Sequence, residues 1–94
     1  MKVNIGVNEW TVEFDNFAKV EAAWDAVVDA KVAKLADDGD ALTGAILRVV
    51  AAGSTVAVTA EELAGVLTLH QVAPLLAFYE RLEAKLAADG LKAA

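Results

Sequence analysis

His70 is the first residue to consider for chemistry, because it is the single histidine of the chain and imidazole is the commonest general base in enzymes. The chain has no Cys, so a thiolate nucleophile is excluded, and a hydroxyl nucleophile would have His70 as its only imidazole base. His70 follows a predicted helix cap, where an isolated histidine is typically a polar surface residue. The sequence therefore predicts a protein that is not an enzyme, with no catalytic residue and no cofactor.

A metal site would have to use carboxylates, and the run ADDGD brings three of them together. Asp37, Asp38 and Asp40 supply the oxygen ligands that Ca²⁺ or Mg²⁺ prefers, but they lack the EF-hand spacing and its closing Glu. No Gly-rich segment is followed by the Gly-Lys-Ser/Thr of a phosphate loop. We expect ADDGD to be a solvated turn between helices, with no metal.

A second acidic group is expected on one face of the first helix. Glu21, Asp25 and Asp29 recur every four residues, so they form a ridge whose like charges repel one another slightly. Such a ridge either meets a basic partner or is the solvated face of the helix, and both interpretations stay open.

Charge and composition narrow the classes of partner. The formal charge is -6, from 14 acidic and 8 basic residues, and no basic cluster appears, which argues against nucleic-acid binding. The amino terminus does not look like a secretion signal, and no apolar stretch approaches the roughly 20 residues of a membrane span. We expect a soluble, cytoplasmic protein that contacts neither nucleic acid nor membrane.

The apolar content predicts protein partners. Hydrophobic residues make up 57% of only 94 residues, and small domains bury only about 60% of their extended-chain surface. We therefore expect a homo-oligomer or a complex. Val56 and Val58, and then Leu69 and Val72, lie in predicted connections, where they either complete the core or form a contact surface. A strand at Val56 and Val58 would offer an edge to a neighbouring subunit.

The elements that position these residues follow from apolar spacing. Alternation over residues 2–14, interrupted around Gly6, predicts a β-hairpin. Helices are expected over about 16–37, 41–52, 60–67 and 73–89. The aromatic face of the hairpin should lie on the first helix, whose expected inward residues are Phe17, Val20, Trp24, Val27, Val28 and Leu35.

Cap residues set the expected helix ends. Asp15 or Asn16 should cap the first helix and Asp40 the second, with Gly39 and Gly53 ending them. Thr59 and Glu62 match a capping box, and Thr68 and Gln71 repeat its spacing. Gly44 is expected to mark a close helix crossing, and Pro74 to delay the last helix. The predicted fold is mainly α (α+β), with a short hairpin packed on about four helices in a single domain, 1–94.

The order of these features resembles the tail assembly chaperones of long-tailed bacteriophages and gene transfer agents. In that family a strand, a tight turn, a second strand and a helix come first, matched here by NEWTVEFDNFAKVEAAW. A hydrophobic helix ending near Ala-Gly, a capped helix and a terminal apolar-acidic helix follow. Their counterparts here are AILRVVAAG, VTAEELAGVLTL and VAPLLAFYERLEAKLAA.

The resemblance implies a non-enzymatic assembly factor in the cytoplasm of a bacterial host. Such a protein self-associates, coats the helical tape measure protein and helps recruit tail tube subunits, and a longer frameshifted form is common in the family. Two other functions stay open: an acidic inhibitor that mimics nucleic acid, and a small structural head-tail virion protein.

Overall fold

The amino-terminal alternation forms a two-stranded antiparallel hairpin, and the rest of the described chain is mainly helical. The computed structural model describes residues 1–90; positions 91–94 of the predicted domain lie outside them. The elements are β1 Lys2–Ile5, β2 Asn8–Thr11, α1 Phe17–Leu35, α2 Gly39–Gly53, α3 Ala60–Val66, α4 Leu69–Lys85 and a π-helical turn Leu86–Gly90. The predicted mainly-α fold with an amino-terminal hairpin is confirmed.

The hairpin turn depends on Gly6. Ile5 pairs with Asn8, which leaves Gly6 and Val7 as a two-residue turn. Gly6 has a φ of 68°, while Val7 has a negative φ, and a glycine with positive φ in the first central position is typical of a type II′ turn. Its twist matches that of the paired strands, so the turn sets their register.

The hairpin lies on α4, and the prediction that it shares an aromatic cluster with α1 is wrong. β1 packs on α4, burying Val3 and Ile5, while Trp10 and Phe14 are half-buried against the same core. The side chain of Trp24 on α1 remains 45% exposed. The chain after α2 also pairs with the hairpin, through a single bridge between Val12 and Ser54.

Helix α1 buries small residues, and most of the predicted inward face is wrong. Only Val20 and Val27 of that predicted face are buried; Phe17, Trp24, Val28 and Leu35 are exposed. Small side chains let α1 lie close to α2, its principal neighbour, where a row of Phe and Trp would hold the axes apart. The buried residues of α1 are Val20, Ala23, Ala26, Val27, Ala30 and Ala33.

The centre of the core comes from α2 and α4. Ile46, Val49 and Val50 of α2 have no exposed surface, and Leu75 and Phe78 of α4 are buried beside them. Gly53 ends α2 as predicted, without a positive φ. Its missing Cβ makes room for Phe14, whose ring atoms lie only 2.6 Å from where that Cβ would be.

The turn between α1 and α2 uses Asp37 and Asp38 in place of the residues predicted. Asp37 has a φ of 55°, and the backbone N–H of Asp38 donates to the Ala33 carbonyl at 2.9 Å, as in a Schellman helix end. The N–H of Ala41 donates to Asp38 Oδ1 at 3.1 Å, so Asp38 and not Asp40 caps α2. Gly39 is the first residue of α2.

Two predicted caps are confirmed, and the predicted start of the last helix is wrong. Asn16 accepts from the N–H of Lys19 at 3.0 Å, and Thr59 accepts from the N–H of Glu62 at 3.1 Å. Helix α4 begins at Leu69, earlier than residue 73, with Pro74 inside it. Pro74 removes one backbone donor in the second turn, while hydrogen bonds before it anchor the first turn.

Candidate partner-binding groove

An apolar groove lies where α2, α3 and α4 meet, and two of the four predicted apolar contact residues line it. Leu69, which is 91% exposed, and Val72 belong to its α4 wall. Val56 is exposed elsewhere, in the connection before α3, and Val58 packs against the core. Residues 55–59 do not form the strand that was considered for this segment, because the sheet pairing there stops at Ser54.

The walls of the groove are built from aliphatic side chains of α2 and α4, together with Ala64 of α3 and Leu67 just after it. The volume of the groove is about 560 Å³. The polar atoms at its edge come from Asp40, Thr43 and Thr68. The apolar lining residues are Leu42, Leu47, Leu67, Leu69, Val72 and Leu76.

Gly44 opens the floor of the groove. A Cβ built on Gly44 would meet no atom within 4 Å outside its own helix, so the predicted close helix crossing at this glycine is wrong. The position faces empty space between α2 and its neighbours, and the small Ala64 lines the same space from α3. A larger side chain at either position would occupy the groove.

The groove continues across α2 towards α1. A second depression, of about 660 Å³, lies between α1, α2 and α3 and shares Gly44, Leu47 and Ala64 with the first. Its α1 side is formed by Val32 and by small residues that leave the surface low. We call the two depressions together the α2 trough.

The rim of the α2 trough is acidic. Asp38, Asp40 and Glu61 lie along it, and Asp29 at its α1 end forms an ion pair with Arg48 of α2. Asp29, one of the three predicted ridge residues, is therefore bridged, whereas Glu21 and Asp25 are exposed outside the trough. The surplus of carboxylates favours a partner with basic residues beside its apolar contacts.

Gln71 holds the α4 wall in place by bonding to the hairpin turn. Its Oε1 accepts from the N–H of Gly6 at 2.8 Å and its Nε2 donates to the Gly6 carbonyl at 2.9 Å. The same Oε1 accepts from the N–H of Thr68 at 3.1 Å, which is half of a capping box. Sequence reasoning recognised the Thr68–Gln71 spacing and missed the contact with Gly6, because no local pattern specifies a partner 65 residues away.

Titratable groups elsewhere do not form a reactive cluster in the part of the chain described. His70 is exposed, and within residues 1–90 no three His, Asp or Glu side chains are grouped to hold a metal ion. The Tyr79 hydroxyl is buried and makes no hydrogen bond of ordinary geometry within residues 1–90. Burial, and then the nearby Glu83 carboxylate, raises the pKa of Tyr79 well above its usual range.

No protein-family model, curated protein or solved structure matches this chain. None of the helices within residues 1–90 combines the length and the apolar character needed to cross a bilayer.

Proposed function

We propose that this protein is a non-enzymatic tail assembly chaperone that self-associates and binds an apolar helix of the tape measure protein. Tail tube subunits are its second partner, as the family resemblance implies. The observation that carries the proposal is the open apolar groove, with Gly44 in its floor and Leu69 at its edge.

The shape of the groove fits an amphipathic helix. Such a helix inserts side chains from positions i, i+3, i+4 and i+7 into an apolar groove, and aliphatic residues on three sides are suited to receive them. Leu69 is exposed to water in the free protein, and a bound helix would cover it. Burying a Leu side chain stabilises a complex by about 1.5–3 kcal/mol.

The charge of the rim selects among helices. Asp38, Asp40 and Glu61 would lie beside the polar flanks of a bound helix, where Lys or Arg is attracted and Asp or Glu repelled. We therefore expect tape measure segments with an apolar stripe bordered by basic residues to bind best. This preference should weaken as salt screens the exposed charges.

The test is a titration of the purified protein with fluorescently labelled tape measure peptides of helical, apolar and basic character. Leu69→Gln should weaken binding by about tenfold, because roughly 1.5 kcal/mol of apolar burial is lost. Val56→Gln is the matched control, since Val56 is 61% exposed outside the groove, and it should leave the affinity unchanged. Equal affinities of wild type and Leu69→Gln, or a preference for acidic peptides, would contradict the proposal.

The two alternative functions receive no specific support from the geometry. Nucleic-acid mimicry would be favoured by a continuous acidic face, whereas Asp29 is paired with Arg48 and other exposed acids are spread over the hairpin, α3 and α4. A structural head-tail virion protein would also have exposed apolar surfaces. No feature of the groove favours that function over a tail assembly chaperone.

A further inference from the structure

The outer face of α1 carries a second apolar surface, opposite the small residues that pack on α2. Its members are exposed to different degrees, from 42% for Val28 to 89% for Leu35. Spacings of seven, four, four and three residues place them in one line along the helix. We call them the α1 stripe: Phe17, Trp24, Val28, Val32 and Leu35.

The charges beside the α1 stripe differ between its two ends. Glu21 and Asp25 flank the amino-terminal half, and both line a shallow depression with Phe17 and Trp24. Lys31 lies beside the carboxy-terminal half and is exposed, in a chain whose overall charge is -6. The stripe is therefore acidic at one end and basic at the other.

We infer that the α1 stripe is a self-association surface that pairs two copies of this chain through antiparallel α1 helices. A pairing centred at the level of Ala26 sets Phe17 opposite Leu35 and Trp24 opposite Val28. The same register sets Glu21 of each copy opposite Lys31 of the other. A twofold axis repeats every contact, as in most homodimers.

Charge complementarity selects this arrangement over others. A parallel pair would bring Glu21 against Glu21 and Lys31 against Lys31, and like charges across an interface are unfavourable. The interface is limited to one helix of 19 residues, about 28 Å long. We therefore expect weak, concentration-dependent association, because interfaces at the small end of the size range include many transient ones.

The pairing rests on the self-association part of the proposed function and leaves most of the α2 trough accessible. Only Val32 belongs to both the α1 stripe and the trough. Loss of one surface should therefore leave the other in place, and the two can be tested separately.

The first test compares two leucines of nearly equal exposure. Leu35 on the stripe is 89% exposed and Leu69 on the groove is 91% exposed, so replacing either by Gln should leave the fold intact. Sedimentation velocity over a range of concentrations should show that Leu35→Gln weakens self-association by about a hundredfold, because both copies in the symmetric dimer lose a leucine contact. Leu69→Gln should associate like wild type while binding the peptide weakly.

The second test exchanges the charges. Glu21→Lys and Lys31→Glu should each weaken self-association several-fold, because two attractive pairs become two repulsive ones in the symmetric dimer. The double variant Glu21→Lys/Lys31→Glu should recover wild-type association. The differences should shrink at high salt. Lys2→Glu, on the hairpin, is the control for charge alone and should have no effect.

The possible results separate the two proposals. A wild type that is monomeric at all concentrations overturns the α1 pairing and the self-association of the proposed function. Self-association that is unaffected by Leu35→Gln overturns the pairing alone, and a double charge variant that remains weak overturns its antiparallel register. None of these results depends on peptide binding, which tests the groove.

Discussion

Replacement of Gln71 by Ala tests whether the hairpin turn holds the α4 wall of the groove. The change removes two hydrogen bonds to Gly6 and one to Thr68, with lengths between 2.8 and 3.1 Å. Each is worth a net 0.5–1.5 kcal/mol or so, and the Gly6 groups lie in a partly buried turn where water replaces them poorly. We expect the free energy of unfolding to fall by about 2–3 kcal/mol.

The assay is urea unfolding followed by circular dichroism, with the slope of the transition compared between variants. Gln71→Glu is the matched variant, because its carboxylate can still accept from the N–H groups of Gly6 and Thr68 but cannot donate to the Gly6 carbonyl. The free energy of unfolding of the Gln71→Glu variant should be about 1 kcal/mol below that of the wild type. If Gln71→Ala lowers the free energy of unfolding by less than about 0.5 kcal/mol, water replaces the lost hydrogen bonds at little cost and the reasoning is refuted.

Three further predictions concern single positions. Gly6→Ala should lower the free energy of unfolding by about 2 kcal/mol, because φ is positive there and the new Cβ would lie 2.9 Å from a Val66 carbon. Asp37→Gly should raise the melting temperature, with a gain of about 0.5–1 kcal/mol, since its φ of 55° suits glycine. Above about pH 10, where an unfolded tyrosine ionises while burial keeps Tyr79 neutral, the folded state should lose stability as pH rises. Denaturant titrations should show that Tyr79→Phe removes this loss, and tyrosinate absorbance from this single tyrosine should appear only after unfolding.

Alternation and capping residues were enough to predict most of the fold. The hairpin follows from apolar residues every second position around Gly6, and helix starts follow from Asn16 and Thr59. These signals depend only on residues that are close together in the sequence, so the sequence alone is enough to recognise them. The spacing of Thr68 and Gln71 marks the start of α4 in the same local way, and Pro74 inside the helix does not delay that start.

The face of α1 could not be predicted because the helix has two apolar faces. Alanine is compatible with a core or a surface, whereas the stronger apolar character of Phe17 and Trp24 favours them as inward residues, although both are exposed. The close approach of α2 determines which face of α1 is buried, and this is a property of the tertiary structure. The larger apolar side chains of α1 are therefore exposed and form the α1 stripe. The high hydrophobic content predicts exposed apolar surface of this kind but does not say where it lies.

The candidate groove was partly predictable. Leu69 and Val72 were identified as contact residues from their place between helices, while Val56 and Val58 had the same signal and do not line it. The opening beside Gly44 depends on how three helices meet, so spacing along one helix could not reveal it.

The most direct test of the proposed function compares leucine at two glycines. Gly44 faces the groove and Gly65 lies on α3 outside it, and at both positions a new Cβ would meet no neighbouring atom within 4 Å. Both substitutions should stabilise their helices by up to about 1 kcal/mol, so a loss of binding in either variant is not explained by unfolding. Isothermal titration with a basic amphipathic tape measure peptide should show no binding to Gly44→Leu and wild-type binding to Gly65→Leu. Wild-type affinity for Gly44→Leu would contradict the groove as the binding site.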